Sequence, residues 1–170
     1  MNAAAEFAGS SLRWHVAHTR PRCEKKVAQF CTQDGLEVCL PLYRSLKKYR
    51  GKHVEFRKPL FPGYVFFRAD VLQAGRLRQE QQVAQVLTPA DDAEFSAQLE
   101  GILQALATAR VVRFAPGITT GQRVRIRSGP LRGMEGQVER RASVWEIFLR
   151  LDFIGQAAAV QVTADEVEPV

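Results

Sequence analysis

The sequence predicts an α+β domain followed by a small all-β barrel. Over residues 13–107, strand-like runs alternate with amphipathic helical stripes. Beyond Pro116-Gly117, strands of four to six residues recur between glycine-containing turns. A length of 170 residues suits one ordinary domain or two small ones. With 46% hydrophobic and 25% charged residues, the composition argues against a disordered or fibrous chain. No apolar run approaches the roughly 18–20 residues needed to cross a bilayer, so no membrane helix is expected. Residues 1–12 lack the basic segment and apolar core of a secretory signal and are expected to form a disordered leader.

The first element, Trp14–Thr19, has the aromatic and β-branched character of a strand. Pro21 then stands where a helix can open, because its missing N–H costs nothing in a first turn. Cys23, Val27, Phe30 and Cys31 form one apolar helical stripe, and Gly35 is placed to cap it in the left-handed conformation. Leu36–Tyr43 reads as a second strand, with Pro41 marking an edge or a bend. Residues 44–58 hold seven basic side chains and one acid around Gly51, predicting a long hairpin with a positive tip. Tyr64–Phe67 is a compact aromatic strand, apolar at every position, so both of its faces should be covered. Residues 71–82 suit a short helix and Val83–Leu87 a strand. Thr88-Pro89 supplies a capping hydroxyl and a first-turn proline for a helix whose stripe is Phe95, Leu99, Ile102, Leu103 and Leu106.

Residues 108–116 lack helical periodicity and read as a linker, dividing a domain at 13–107 from an all-β module at 117–170. In the module the strands are expected at QRVRIR, GQVERR, EIFLRLD and AAVQVT.

Charge and reactive groups narrow the function. The net charge is +6, and residues 1–70 alone carry 13 Lys and Arg against 6 Asp and Glu. Two readings fit this asymmetry: a polyanionic partner, or a solvated basic face. The three cysteines, Cys23, Cys31 and Cys39, are an odd set spaced for no zinc site, which points to reduced thiols and a cytoplasmic setting. No phosphate-binding glycine loop, nucleophile elbow or metal pair is present, so neither an enzyme nor a cofactor is expected. On the aromatic strand, the two-residue period puts Tyr64 and Phe66 on one face. That face fits either a second core or a partner.

Trp14-x-Val16-x-x-Thr19 with a basic helix, then PLFPGYVF, then the glycine-spaced GQRVRIRSGPLRGMEGQV together resemble the NusG family of transcription elongation factors. The resemblance covers residues 13–170. It implies an N-terminal NGN domain, an antiparallel sheet with flanking helices, and a C-terminal KOW domain, an SH3-like barrel. It further implies that the NGN domain docks on the clamp helices of RNA polymerase through His18, Phe61, Pro62, Tyr64, Phe66 and Val86. Upstream or non-template DNA would be met by Arg20, Arg22, Lys25 and Lys26, and nucleic acid or an acidic surface by Lys47, Lys48, Arg50 and Lys52 of the hairpin. Met134, Phe153 and Ile154 match the KOW positions that recruit ribosomal protein S10 or the termination factor Rho. The RGKHVEF hairpin leading into PLFPGYVFFRAD is more similar to specialised antiterminators of the RfaH type than to the housekeeping factor. The KOW module, glycine-rich and β-branched, is expected to stay β rather than refold as helices. The whole is expected to be a monomer. The alternatives are the general housekeeping factor of the family and a ribosome-associated KOW-type RNA-binding protein, the second of which leaves the LFPGY strand without a purpose.

Overall fold

The computed structural model describes residues 11–108, 111–116, 121–141 and 144–170. Of the leader, only Ser11 and Leu12 fall within that range. The chain divides into two compact units: the described residues up to Leu40 with Pro62–Asp92, and Pro41–Phe61 with Ala93–Val170.

In the first unit, strands β1 (Arg13–Thr19), β2 (Glu37–Cys39), β5 (Tyr64–Ala69) and β6 (Val83–Leu87) form an antiparallel sheet in the order β2-β5-β1-β6. Helices α1 (Glu24–Gln33) and α2 (Val71–Leu77) complete it. Ala17, Val65 and Phe67 from the sheet, Val27 and Cys31 from α1, and Ala74 and Leu77 from α2 share one hydrophobic core. Gly35, at φ +72, ends α1 in the left-handed conformation, as expected, and the Leu36 N–H then reaches Cys31 O at 2.9 Å. A reciprocal capping box between Asp70 and Gln73 opens α2. The aromatic strand is covered on both faces, with Val65, Phe66 and Phe67 all buried.

Two element boundaries differ from expectation. The second strand is only Glu37–Cys39, because the chain turns at Leu40-Pro41 and Leu42 already belongs to the hairpin. The long helix α3 (Asp92–Ala107) starts four residues after Thr88 rather than on it. The Thr88 hydroxyl is instead 2.9 Å from His15 Nδ1, and Asp92 Oδ1 accepts the Trp14 N–H at 2.6 Å. His15 is buried, stacked on Phe67, with Nε2 3.2 Å from Ala69 O. A carbonyl only accepts, so Nε2 carries the proton and Nδ1 accepts from Thr88.

The second unit holds the β3 (Leu42–Tyr49)–β4 (Lys52–Pro59) hairpin. Arg50 and Gly51 both have positive φ, 47° and 80°, the requirement of the two-residue turn that matches strand twist. The unit also holds a six-stranded antiparallel sheet ordered β12-β8-β9-β10-β11-β7. Its strands are β7 (Val111–Pro116), β8 (Gln122–Ile126), β9 (Glu135–Arg141), β10 (Val144–Leu151), β11 (Gln156–Val162) and β12 (Val167–Pro169). Four of these fall on the four expected strands. Contrary to the expected linker, residues 111–116 form a strand that pairs with β11, so their backbone groups are satisfied by the sheet. Gly136 lets β9 and β10 close up: a Cβ there would meet Phe148 O at 2.5 Å and Ile147 Cγ1 at 2.9 Å. No helix among the described residues is long and apolar enough to cross a membrane.

Two outcomes follow from these contacts. Gly136→Ala should lower stability by about 1–3 kcal/mol, measured by chemical denaturation, since backbone rather than a flexible side chain must move. Burial, followed by the charges of Arg13 and Arg78, outweighs the Ala69 bond and holds His15 below its ordinary pKa. His15 therefore contributes stability above about pH 6.5, and that contribution is lost as pH falls through its lowered folded value. Thermal unfolding should show this loss, and His15→Gln should remove that part of the pH dependence.

Candidate nucleic-acid interface

A tight turn joins β1 to α1. The Cys23 N–H donates to Arg20 O at 3.1 Å, closing four residues with Pro21 second and Arg22, at φ 63°, third. A proline second and a positive φ third are the signature of a type II turn, whose third residue is ordinarily glycine. Pro21 thus serves this turn instead of opening the helix, which begins at Glu24. Arg22 bears a left-handed backbone that costs a non-glycine residue about 1–2 kcal/mol.

Gly63, at φ +86, locks the neighbouring segment onto this turn. Its N–H donates to Oε1 of the buried Glu24 at 2.9 Å, and its carbonyl accepts the Thr19 N–H at 2.8 Å. The Arg20 N–H reaches Gln82 O at 2.9 Å, which brings the start of β6 to the same place. Between them lies an open groove of about 910 Å³ lined by His18, Arg20, Arg22, Glu24 and Pro62, among others. Arg20 and Arg22 are exposed, and Lys25 and Lys26 extend the positive surface along the first turn of α1.

Strand register decides what stands beside the groove. His18 pairs with Tyr64 on one side and Gln85 on the other, so the three form a row across β5, β1 and β6. The His18 and Tyr64 rings stack with centroids 5.1 Å apart at 17°. His18 and Gln85 are exposed and Tyr64 half-buried. The expected contact residues His18, Pro62 and Tyr64 are thus brought together with Arg20 and Arg22.

Three other expected contact residues are corrected by burial. Phe61 is 1% exposed, Phe66 0% and Val86 6%, so none offers a partner surface. Phe66 shares the face of Tyr64 but lies one row further into the sheet, opposite Val16. Val86 pairs with Ala17 and faces the helix-covered core, the opposite side from Tyr64. A register shift between His18 and Thr19 explains it, because Val83 and Val86 both join that core although an unbroken two-residue period would separate them. Gln85 takes the place that the sequence reading gave to Val86. The signal was that same odd spacing of two valines on one short strand.

The remaining expected residues lie in the second unit. Lys47, Lys48, Arg50 and Lys52 are exposed on the hairpin. Met134, Phe153 and Ile154 do not form a bare surface, because α3 runs beside the first two. Phe153 packs edge-on against Phe95 at 6.1 Å, and Met134 lies 4.0 Å from where a Gly101 Cβ would stand. Gln98 clamps Asp152, donating to Oδ2 at 2.8 Å and accepting its N–H at 3.0 Å, while Gln104 donates to Pro130 O at 3.0 Å. The polar residues of α3 that make these bonds were not singled out from the sequence, although their three-residue spacing, Gln98 to Gly101 to Gln104, marks one helix face. Burial pushes the Cys31 and Cys39 thiols up to about 11, so neither is a ready nucleophile or ligand at neutral pH. Among the described residues no three His, Cys, Asp or Glu side chains are grouped to hold a metal.

Glu24→Ala should cost about 1–3 kcal/mol in denaturant unfolding by leaving the Gly63 N–H without its acceptor. Arg22→Gly should act oppositely on two readouts. It should raise stability by about 1 kcal/mol through relief of the left-handed strain, and weaken any polyanion bound in the groove.

Residues 12–119 match the family model described as "Transcription termination factor nusG". Among solved structures, the chain is similar to that of "Domain interaction in Thermotoga maritima NusG". The TM-score is 0.59 at 18% identity, covering 94% of this chain and 98% of that one. A chain of "Crystal Structure of MjSpt4:Spt5 complex conformation B" aligns with a TM-score of 0.34 and 17% identity, over 92% of this chain and 96% of that one. No curated protein matches the chain. The family match spans well over half of the sequence, and the chain belongs to the NusG family of transcription factors.

Proposed function

We propose that this chain is a bacterial elongation and antitermination factor of the cytoplasm, without catalytic activity, that binds RNA polymerase and suppresses pausing or termination. The observation that carries the reading is the row of half-buried Tyr64 and exposed His18 and Gln85 beside a groove walled by Arg20 and Arg22. The rings supply an anchor for the clamp helices, and the cations meet upstream or non-template DNA leaving the enzyme. Such a factor works by differential affinity: a few kcal/mol in favour of the active, clamp-closed polymerase shifts a two-state equilibrium strongly.

In this reading residues 13–107 act as the NGN domain and 117–170 as a KOW barrel that recruits ribosomal protein S10 or Rho. Met134, Phe153 and Ile154 supply the apolar contacts. Phe153, 39% exposed, is the most accessible of the three. The basic hairpin supports reading the factor as a specialised, RfaH-type paralogue acting on particular operons, as a monomer.

A paused-transcription assay with purified polymerase tests the docking row. His18→Ala with Tyr64→Ala should weaken polymerase binding roughly tenfold or more and abolish pause escape, as loss of an aromatic anchor of about 2 kcal/mol requires. Unchanged binding and pause escape would remove the row from the interface. On duplex DNA, Arg20→Ala or Lys26→Ala should each flatten the log–log salt dependence by about 0.9.

A further inference from the structure

The β3–β4 hairpin presents large apolar side chains to solvent: Leu46 is 71% exposed, Tyr49 62% and Phe56 44%. Register sorts its residues between two faces. Arg44 with Arg57, Leu46 with Glu55 and Lys48 with His53 share one face. Tyr43 with Lys58, Ser45 with Phe56, Lys47 with Val54 and Tyr49 with Lys52 share the other.

The two faces differ in electrostatics. On the first, Glu55 is engaged by Arg44 in a bidentate pair at 2.6 and 2.8 Å, which holds its carboxyl below the usual range. No ladder residue on the second face is acidic, and Lys47, Lys52 and Lys58 stand among its rings. Lys47 and Lys58 stand on this same face, and the proximity of Lys47, with desolvation, lowers the Lys58 pKa from the ordinary lysine value. Three lysines on one face with exposed rings match a ligand with alternating anionic and flat aromatic parts.

We propose that the Tyr49–Phe56 face of the hairpin is a stacking platform for single-stranded RNA, with Lys47, Lys52 and Lys58 meeting its phosphates. The inference rests on the transcription-factor reading above; of the two partners expected for the hairpin lysines, nucleic acid or an acidic surface, it takes the first and adds the rings and the strandedness. A duplex hides the faces of its bases in the stack, so exposed rings have no use for it, whereas an unpaired base offers its π-face to them. Transcription leaves two strands unpaired, the non-template DNA and the new RNA; the reading above gives the former to the cations of the β1–α1 turn, which leaves RNA for the hairpin.

Binding of the full chain to a short unstructured RNA, followed by fluorescence anisotropy, tests this. Tyr49→Ala with Phe56→Ala should weaken RNA binding about tenfold or more while leaving its salt slope unchanged. Lys47→Gln with Lys58→Gln should flatten that slope by about 1.4, and Leu46→Ala on the other face should leave binding as it was. All these side chains lie on the hairpin surface, and circular dichroism would verify that the variants are folded. RNA affinity unmoved by the ring substitutions would overturn the proposal. So would equal affinity for DNA of the same sequence, a preference for duplex, or a loss of polymerase binding with RNA binding intact, which would make the face a protein contact. Loss of pause escape in the His18 and Tyr64 variant is read separately, so failure of the docking row and failure of the platform are distinguishable.

Discussion

The peptide group of Gly63 is the point on which the groove depends. Its carbonyl is held by the last residue of β1 and its N–H by the first residue of α1, Glu24. That one group therefore ties the lead into the aromatic strand to the strand beside it and to the helix that follows. A positive φ is what allows both bonds at once, and glycine supplies it without steric cost. The buried Glu24 carboxylate has its own requirement, because a charge taken out of water must be hydrogen-bonded. Glu24 and Gly63 satisfy each other, and the cationic residues of the turn between them are left pointing outward.

The same turn holds Arg22 in a conformation that glycine would adopt more cheaply. Stability alone does not explain an arginine there, whereas the anion-binding role proposed for the groove does. Strain of this kind is tolerated where the surrounding bonds over-determine the backbone, and the Arg20–Cys23 and Arg20–Gln82 bonds do so here. Polarity is distributed in a comparable way in the second unit. On the hairpin the one acid, Glu55, pairs with Arg44 on one face, while the other carries lysines and rings with no acid, so its two surfaces are suited to different uses.

Much of the architecture was legible along the chain. The aromatic strand, α1, α2, the positive hairpin and four strands of the C-terminal sheet were placed by periodicity and turn residues, since both act locally. Where expectation missed, a distant group had taken a local signal. Thr88 looked like a helix cap but bonds His15, Pro21 looked like a first helical residue but sits in a type II turn, and residues 111–116 looked like a linker but found β11 as a partner.

For the site, the amino-acid order by itself determined that rings and cations are concentrated in the first 70 residues, and its motifs pointed to the family that the comparison established. It also put Tyr64 and Phe66 on one side of their strand. Only the tertiary structure decided that Tyr64 reaches the surface while Phe66 is sealed, and that Gln85 rather than Val86 stands beside His18. Alternation along a strand assigns a side chain to a face but does not say what covers that face. A single register shift, signalled along this strand only by the spacing of Val83 and Val86, exchanges inside for outside over the rest of the strand.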